Sequence, residues 1–251
     1  MKLTEIDFWE DYWAKVKLPD TVDLNFSFER CLARALKKNL PDVKGDVLEV
    51  GCAPGRWLAF MEKEFGLRPS GIEYSEAGLE ATKKNFEMLG IASGEIHQGD
   101  FFQVELKKEF DVVMSFGFIE HFDDVDDVVE RHLRWLKPGG TLILGVPNMR
   151  GVYSGIQKVL DQSVLDKHNL NMMNLDFFSG LAKRFDMNIT FLDYIGSFEP
   201  SLPLPKPGKN NLLQWLVRCF LRVAGKVRKA TFFDSINNPL FSSYILAIYK
   251  K

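Results

Sequence analysis

Cysteine and histidine are both scarce in this chain, with 3 and 4 copies among 251 residues. Cys31, Cys52 and Cys219 are odd in number and widely scattered. That excludes a disulfide framework and fits free thiols in a reducing compartment. No run of about 18 apolar residues occurs, so no segment is expected to span a membrane. The opening stretch MKLTEIDFWEDYW is acidic and aromatic, without the apolar core of a secretory signal, and a cytoplasmic location is expected. An excess of one charge is missing too. With 32 Lys and Arg against 34 Asp and Glu, the net charge is −2, which gives no reason to expect a nucleic-acid partner. No Cys/His spacing resembles a zinc site. Asp123, Asp124, Asp126 and Asp127 read as the acidic start of a helix, and no metal is expected.

What is present is an ordinary globular composition, 46% hydrophobic and 26% charged, on a length suited to one domain with an elaboration. The chain is organised around Asp46–Trp57, DVLEVGCAPGRW. Val47, Leu48 and Val50 read as a buried strand. Gly51, Ala53, Pro54 and Gly55 make a small-residue turn, and a helical pattern starts at Trp57. Such a turn lets backbone approach a ligand, and the helix N-terminus adds free N–H groups. Glu73 ends a second strand in GIEYS, and Asp100 follows a third in EIHQGDF. Both acids belong at the carboxyl edge of a parallel sheet, beside the first turn. Strand and helix alternate from there, implying βαβ units. Ser75 can cap the helix after Glu73. A strongly apolar strand ends at Phe116-Gly117, a helix runs over Asp123–Leu136, Lys137–Gly140 stop it, and Thr141–Val146 form a fifth strand.

LEVGCAPG, GIEYS, GDF and LKPGGTLILGVPN together resemble, in order and spacing, the class I S-adenosylmethionine-dependent methyltransferases. The resemblance covers about Asp46–Asn148, with an echo in the last strand, Ser243–Tyr249. Ala53 stands where that family more often has glycine. The NAD fingerprint fits less well, because Ala53 and Arg56 occupy two of its glycine places. The resemblance implies an α/β fold: a Rossmann-like, seven-stranded, mostly parallel sheet with helices on both faces and an antiparallel last strand. It implies S-adenosylmethionine as cofactor and S-adenosylhomocysteine as product. Carried over residue by residue, it assigns cofactor contacts to Glu49, Gly51, Cys52, Ala53 and Gly55 around the first turn. Glu73, whose carboxylate suits the ribose hydroxyls, and Tyr74 follow. Asp100 and Phe101 fall beside the adenine, and Phe116 near the methyl group.

The remainder divides into an N-terminal helical cap (1–45), the cofactor-binding core (46–195), an inserted cap (196–240) and the last strand (241–251). Phe8, Trp9, Tyr12 and Trp13 form an aromatic stripe that either packs on the core edge or covers the cofactor. Arg30 and Arg34, one turn apart on a helix over Phe28–Leu40, are either solvated or reach the cofactor's carboxylate. His121, in SFGFIEHF, has the right unperturbed pKa range for a general base, and His168 is a second candidate. His97 and His132 read as packing or surface residues. A helix over 211–231 carries Arg218, Arg222 and Lys226 on one stripe and Leu213, Leu216, Phe220 and Val223 on others. Three readings are open for it: a cap packed by its apolar side, a dimer contact or substrate lid, and docking on an anionic membrane surface. The first is the expectation. The activity expected is methyl transfer to oxygen or nitrogen of a small-molecule acceptor. A non-catalytic cofactor-binding protein and a protein or RNA methyltransferase are the alternatives.

Overall fold

A computed structural model of the chain describes residues 4–91, 94–204, 211–227 and 234–251. Seven strands form one sheet in the order β3-β2-β1-β4-β5-β7-β6. They are β1 Asp46–Val50, β2 Arg68–Glu73, β3 Ile96–Gln98, β4 Phe110–Phe116, β5 Leu136–Pro147, β6 Asn188–Ile195 and β7 Tyr244–Lys250. β1 to β5 pair in parallel, while β7 lies antiparallel between β5 and β6. The expected architecture holds.

The strands read as apolar runs because both faces are covered. Leu48, Val50, Val113, Leu142 and Leu144 point to one side, where they meet α5 (Val125–Arg134) and α7 (Leu175–Arg184). Val47, Val112, Met114, Ile143 and Leu246 point to the other. There they pack on α2 (Ser27–Asn39), α3 (Arg56–Phe65) and α4 (Glu76–Leu89). Each such side chain, fully buried, contributes roughly 1.5–3 kcal/mol of transfer free energy. Ser75 caps α4 by accepting from the Gly78 amide at 3.1 Å, and Asp124 caps α5 by accepting from Asp127 at 3.1 Å. The aspartate cluster is a helix start.

Some boundaries move. β5 begins at Leu136, because that residue pairs with Phe110 before the ladder resumes at Thr141 opposite Val112. Lys137–Gly140 therefore bulge from a continuing strand and do not form a loop. The stretch after Pro147, which carried no assigned element up to Asn174, contains α6, Val152–Leu165, with non-helical backbone at Asp161. The helix expected over 211–231 is α8, Leu212–Val227, and residues 228–231 lie outside the described ones. Its expected packing is corrected. Leu213, Leu216, Phe220 and Val223 are 56%, 50%, 57% and 65% exposed, and Leu221 faces inward. Periodicity defines a helix's apolar stripe but not which way it turns, and here the inward side is the one that meets α6.

Candidate functional site

The site is built on the carboxyl edge of the first four strands, where short turns must redirect the chain into helices. Gly51 takes φ +68°, and a Cβ there would come 2.8 Å from the Phe118 ring. Its amide and that of Cys52 donate to the Ile72 carbonyl at 2.9 and 3.2 Å, tying the turn to β2. Gly55, at φ +83°, closes the turn by donating to Cys52 and opens α3, with Thr82 and Phe86 against it.

Glu73 ends β2 and is 4% exposed. One carboxyl oxygen accepts from the amide and hydroxyl of Ser75, both at 3.0 Å; the other accepts from the Ala53 amide at 3.2 Å. Burial raises its pKa, and these donors oppose the rise. The carboxylate is thus aimed by three donors on two neighbours, Ser75 and Ala53, and keeps lone pairs for further donors. Asp100, after β3, accepts from the Phe102 amide at 2.9 Å, a turn that Asp forms readily. Across β1, β4 delivers Phe116 and then the short helical turn Ile119–His121.

These edges enclose a cavity of about 520 Å³, within the range of ligand sites. Glu49, Gly51, Cys52, Ala53, Glu73, Tyr74, Asp100, Phe101, Phe116 and His121 all line it. Gly55 and His168 do not. Gly55 lies beneath the turn, and the His168 ring packs on the His121 ring with centroids 4.7 Å apart.

The side towards β4 has a different character. Glu120 is fully buried, and neither carboxyl oxygen has a hydrogen-bond partner among the described residues. Burial pushes its pKa up to about 8. The Nε2 of His121 lies 3.9 Å from it. Burial and neighbouring His168 lower the His121 pKa to about 3, so the ring is neutral. Its Nδ1 is 2.9 Å from the Lys167 carbonyl and 3.1 Å from the Thr4 hydroxyl. A carbonyl can only accept, which assigns the ring proton to Nδ1 and leaves Nε2 as an acceptor. The Nδ1 of His168 is likewise 2.6 Å from the Val164 carbonyl. Glu120, His121 and His168 each offer one ligand atom within 4.8 Å of the others, a set that could hold a metal and that sequence spacing does not reveal.

Over the cavity lies α1, Ile6–Trp13, which buries none of its residues. Trp9, Tyr12 and Trp13 line the cavity instead, and Trp9 meets His121 edge-on at 5.2 Å. The Glu10 carboxylate accepts from the Glu76 and Ala77 amides at 2.7 and 2.9 Å, where α4 leaves its first N–H groups free. Of the two readings of the aromatic stripe, the geometry matches the cover.

Arg30 and Arg34 do not reach the cavity. Both pair with Asp234, Arg30 at 2.7 Å and Arg34 at 3.4 Å, because the segment before β7 folds back on α2. The arginine that lines the cavity is Arg56, 3.1 Å from Glu29 and 3.8 Å from Asp20. Sequence reasoning passed over it, although its place at the first turn of α3 is a usable signal. Phe118, Glu199, Leu202 and Tyr244 are further lining residues from segments whose folding back no local pattern shows.

Residues 26–191 match the family model described as a methyltransferase domain, which is more than half of the chain. The chain belongs to the methyltransferase family. Within it, a tRNA U34 carboxymethyltransferase of Desulfotalea psychrophila is 36% identical over 134 residues, covering 50% of this chain and 41% of that protein. An O-methyltransferase of Pyrenophora dematioidea is 26% identical, covering 52% of this chain and 49% of the relative. The chain thus spans less than half the length of these curated relatives. A solved methyltransferase from Thiobacillus denitrificans, in complex with S-adenosyl-L-homocysteine, superposes with a TM-score of 0.61 at 16% identity, covering 99% of each chain. The methyltransferase fold therefore runs through the chain, while the family match spans residues 26–191.

Proposed function

We propose that this methyltransferase binds S-adenosylmethionine along the turn after β1 and transfers the methyl group to oxygen or nitrogen of a small-molecule acceptor. The observation that carries the reading is Glu73: a buried carboxylate aimed by Ser75 and Ala53 at the wall of a cavity whose other side holds a neutral histidine. When bound, the cofactor supplies an electrophilic methyl group on a sulfonium, leaving the protein to bind, align and exclude water. The residues present fit it. Glu73 can accept from both ribose hydroxyls, Asp100 from the adenine amino group, and Arg56 can pair with the methionine carboxylate. Glu49, buried beside Arg56 with its pKa well raised and one carboxyl oxygen unpartnered among the described residues, can meet the amino group of the same portion.

On the acceptor side, His121 Nε2 takes the proton of an acceptor hydroxyl as its oxygen attacks. Glu120, 3.9 Å away, can stabilise the imidazolium so formed when it is itself ionised, a form that burial holds back until about pH 8. His168 positions the His121 ring through their contact. Trp9, Tyr12 and Trp13 keep water out and favour a partly apolar acceptor. A partly open cavity under an aromatic cover, in a chain of net charge −2, supports a small acceptor over an RNA one.

Calorimetric titration with S-adenosylmethionine and S-adenosylhomocysteine tests the reading. Micromolar binding is expected, weakened about 100-fold or more in Glu73→Ala, since a charged group loses its hydrogen bonds. No binding of either compound by the wild-type chain would sink it.

A further inference from the structure

The inserted segment carries a surface that methyl transfer does not use. α8 contains Arg218, Arg222 and Lys226 and no acidic residue. One side rests on α6. Leu221 is 9% exposed there, and the Gln214 amide donates to the Val159 and Leu160 carbonyls at 3.1 and 3.4 Å. The other side presents Leu212, Leu213, Leu216, Phe220 and Val223, each between 50% and 73% exposed. Their spacing puts them on a single stripe. Trp215, 54% exposed, flanks that stripe along with the exposed Arg222 and Lys226. A helix on a soluble protein normally turns its apolar stripe to the core. α8 does the reverse.

A second exposed apolar group lies on the same support. Leu240 and Phe241 are 57% and 48% exposed, and the Leu240 carbonyl accepts from the Val152 amide at the start of α6. We propose that α8 is a docking helix that lies in the surface of an anionic phospholipid bilayer, its leucine and phenylalanine stripe among the acyl chains and Arg222 and Lys226 among the headgroups. Charge complementarity selects this occupant over a second copy of the chain, because two α8 faces would bring only like charges together. No helix among the described residues is long and apolar enough to cross a membrane. This one therefore lies on the bilayer.

The test is cosedimentation of the full chain with vesicles of mixed phosphatidylglycerol and phosphatidylcholine, against phosphatidylcholine alone. The chain should pellet with the mixed vesicles, pellet far less with the neutral ones, and be released by salt. The double variant Leu216→Glu with Phe220→Glu should lose about tenfold or more of the partitioning. The pair Arg222→Glu with Lys226→Glu should abolish the preference for anionic lipid. The Arg222 and Lys226 variant should keep the wild-type melting temperature, because those side chains are exposed, and the Leu216 and Phe220 variant should lose little of it, because Phe220 meets only the Phe198 ring among the described aromatic contacts. Three results would overturn the proposal: no pelleting by the wild type, unchanged pelleting by the Leu216 and Phe220 variant, or light scattering showing self-association that this variant abolishes. Titration of the same preparations with S-adenosylhomocysteine reads the cofactor site separately, so a failure of one reading is not mistaken for failure of the other.

Discussion

The two sides of the cavity are built on opposite principles. Around Glu73 and Asp100, each carboxylate is satisfied by backbone or hydroxyl donors within two or three residues, or from the adjoining turn. Around Glu120, a carboxyl group kept protonated by burial up to about pH 8 lies without hydrogen-bond partners among the described residues, beside the neutral His121 and, 48 positions further along the chain, His168. A satisfied acid is fixed before a ligand arrives and suits recognition. An unsatisfied one, held neutral by burial, has no fixed partner and suits a step in which charge appears beside it.

The largest expected effect on this contrast comes from His121→Asn. Turnover should fall about 100-fold or more, the usual range for losing a general base, with S-adenosylhomocysteine affinity nearly unchanged. An equal loss in both would make His121 a structural residue and erase the distinction between the two sides.

Stability against pH comes next in size. His121 and His132 have folded pKa values of about 3 and 4, below the ordinary 6.5, so their contribution is complete above pH 6.5 and is lost as pH falls towards 4. Glu120 runs the other way. Raised from 4.5 to about 8, it costs nothing below pH 4.5 and destabilises progressively as pH rises to about 8. Melting temperature should therefore decline on both sides of a mildly acidic maximum. Glu120→Gln should flatten the decline between pH 6 and 8 and leave the acid limb. A wild-type melting temperature that holds steady from pH 6 to 8 would mean that Glu120 finds a partner in solution.

The smallest effect is expected at the cover. Glu10→Ala removes two hydrogen bonds to α4, each worth about 0.5–1.5 kcal/mol at most when partly exposed. S-adenosylhomocysteine binding should weaken about threefold to tenfold, mostly through faster dissociation, measurable by stopped flow. An unchanged off-rate would show that α1 covers the cavity without holding it shut.

The Glu73 and Asp100 side of the cavity was legible in the sequence because its rules are local. A strand, a small-residue turn and an acid after the next strand are read from neighbours, and the sheet order follows from their repetition. The Glu120 and His121 side was not. His168 reaches His121 through α6, whose pattern is blurred by Gly151, Gly155 and the break at Asp161. Arg56 looked like a spoiled glycine fingerprint. Arg30 looked available until Asp234, some 200 positions away, folded onto it. For α8, periodicity gave the stripe but not its orientation, since that depends on the surface α6 presents.

The Glu10 contact has one more consequence. The Glu76 and Ala77 amides sit in the first turn of a helix, where no carbonyl of their own helix can serve them, and among the described residues the carboxylate of α1 is their acceptor. Their exchange with deuterium is thus a built-in clock for the opening of the cavity. Its rate would time the passage of ligand in and out with no label added to the protein.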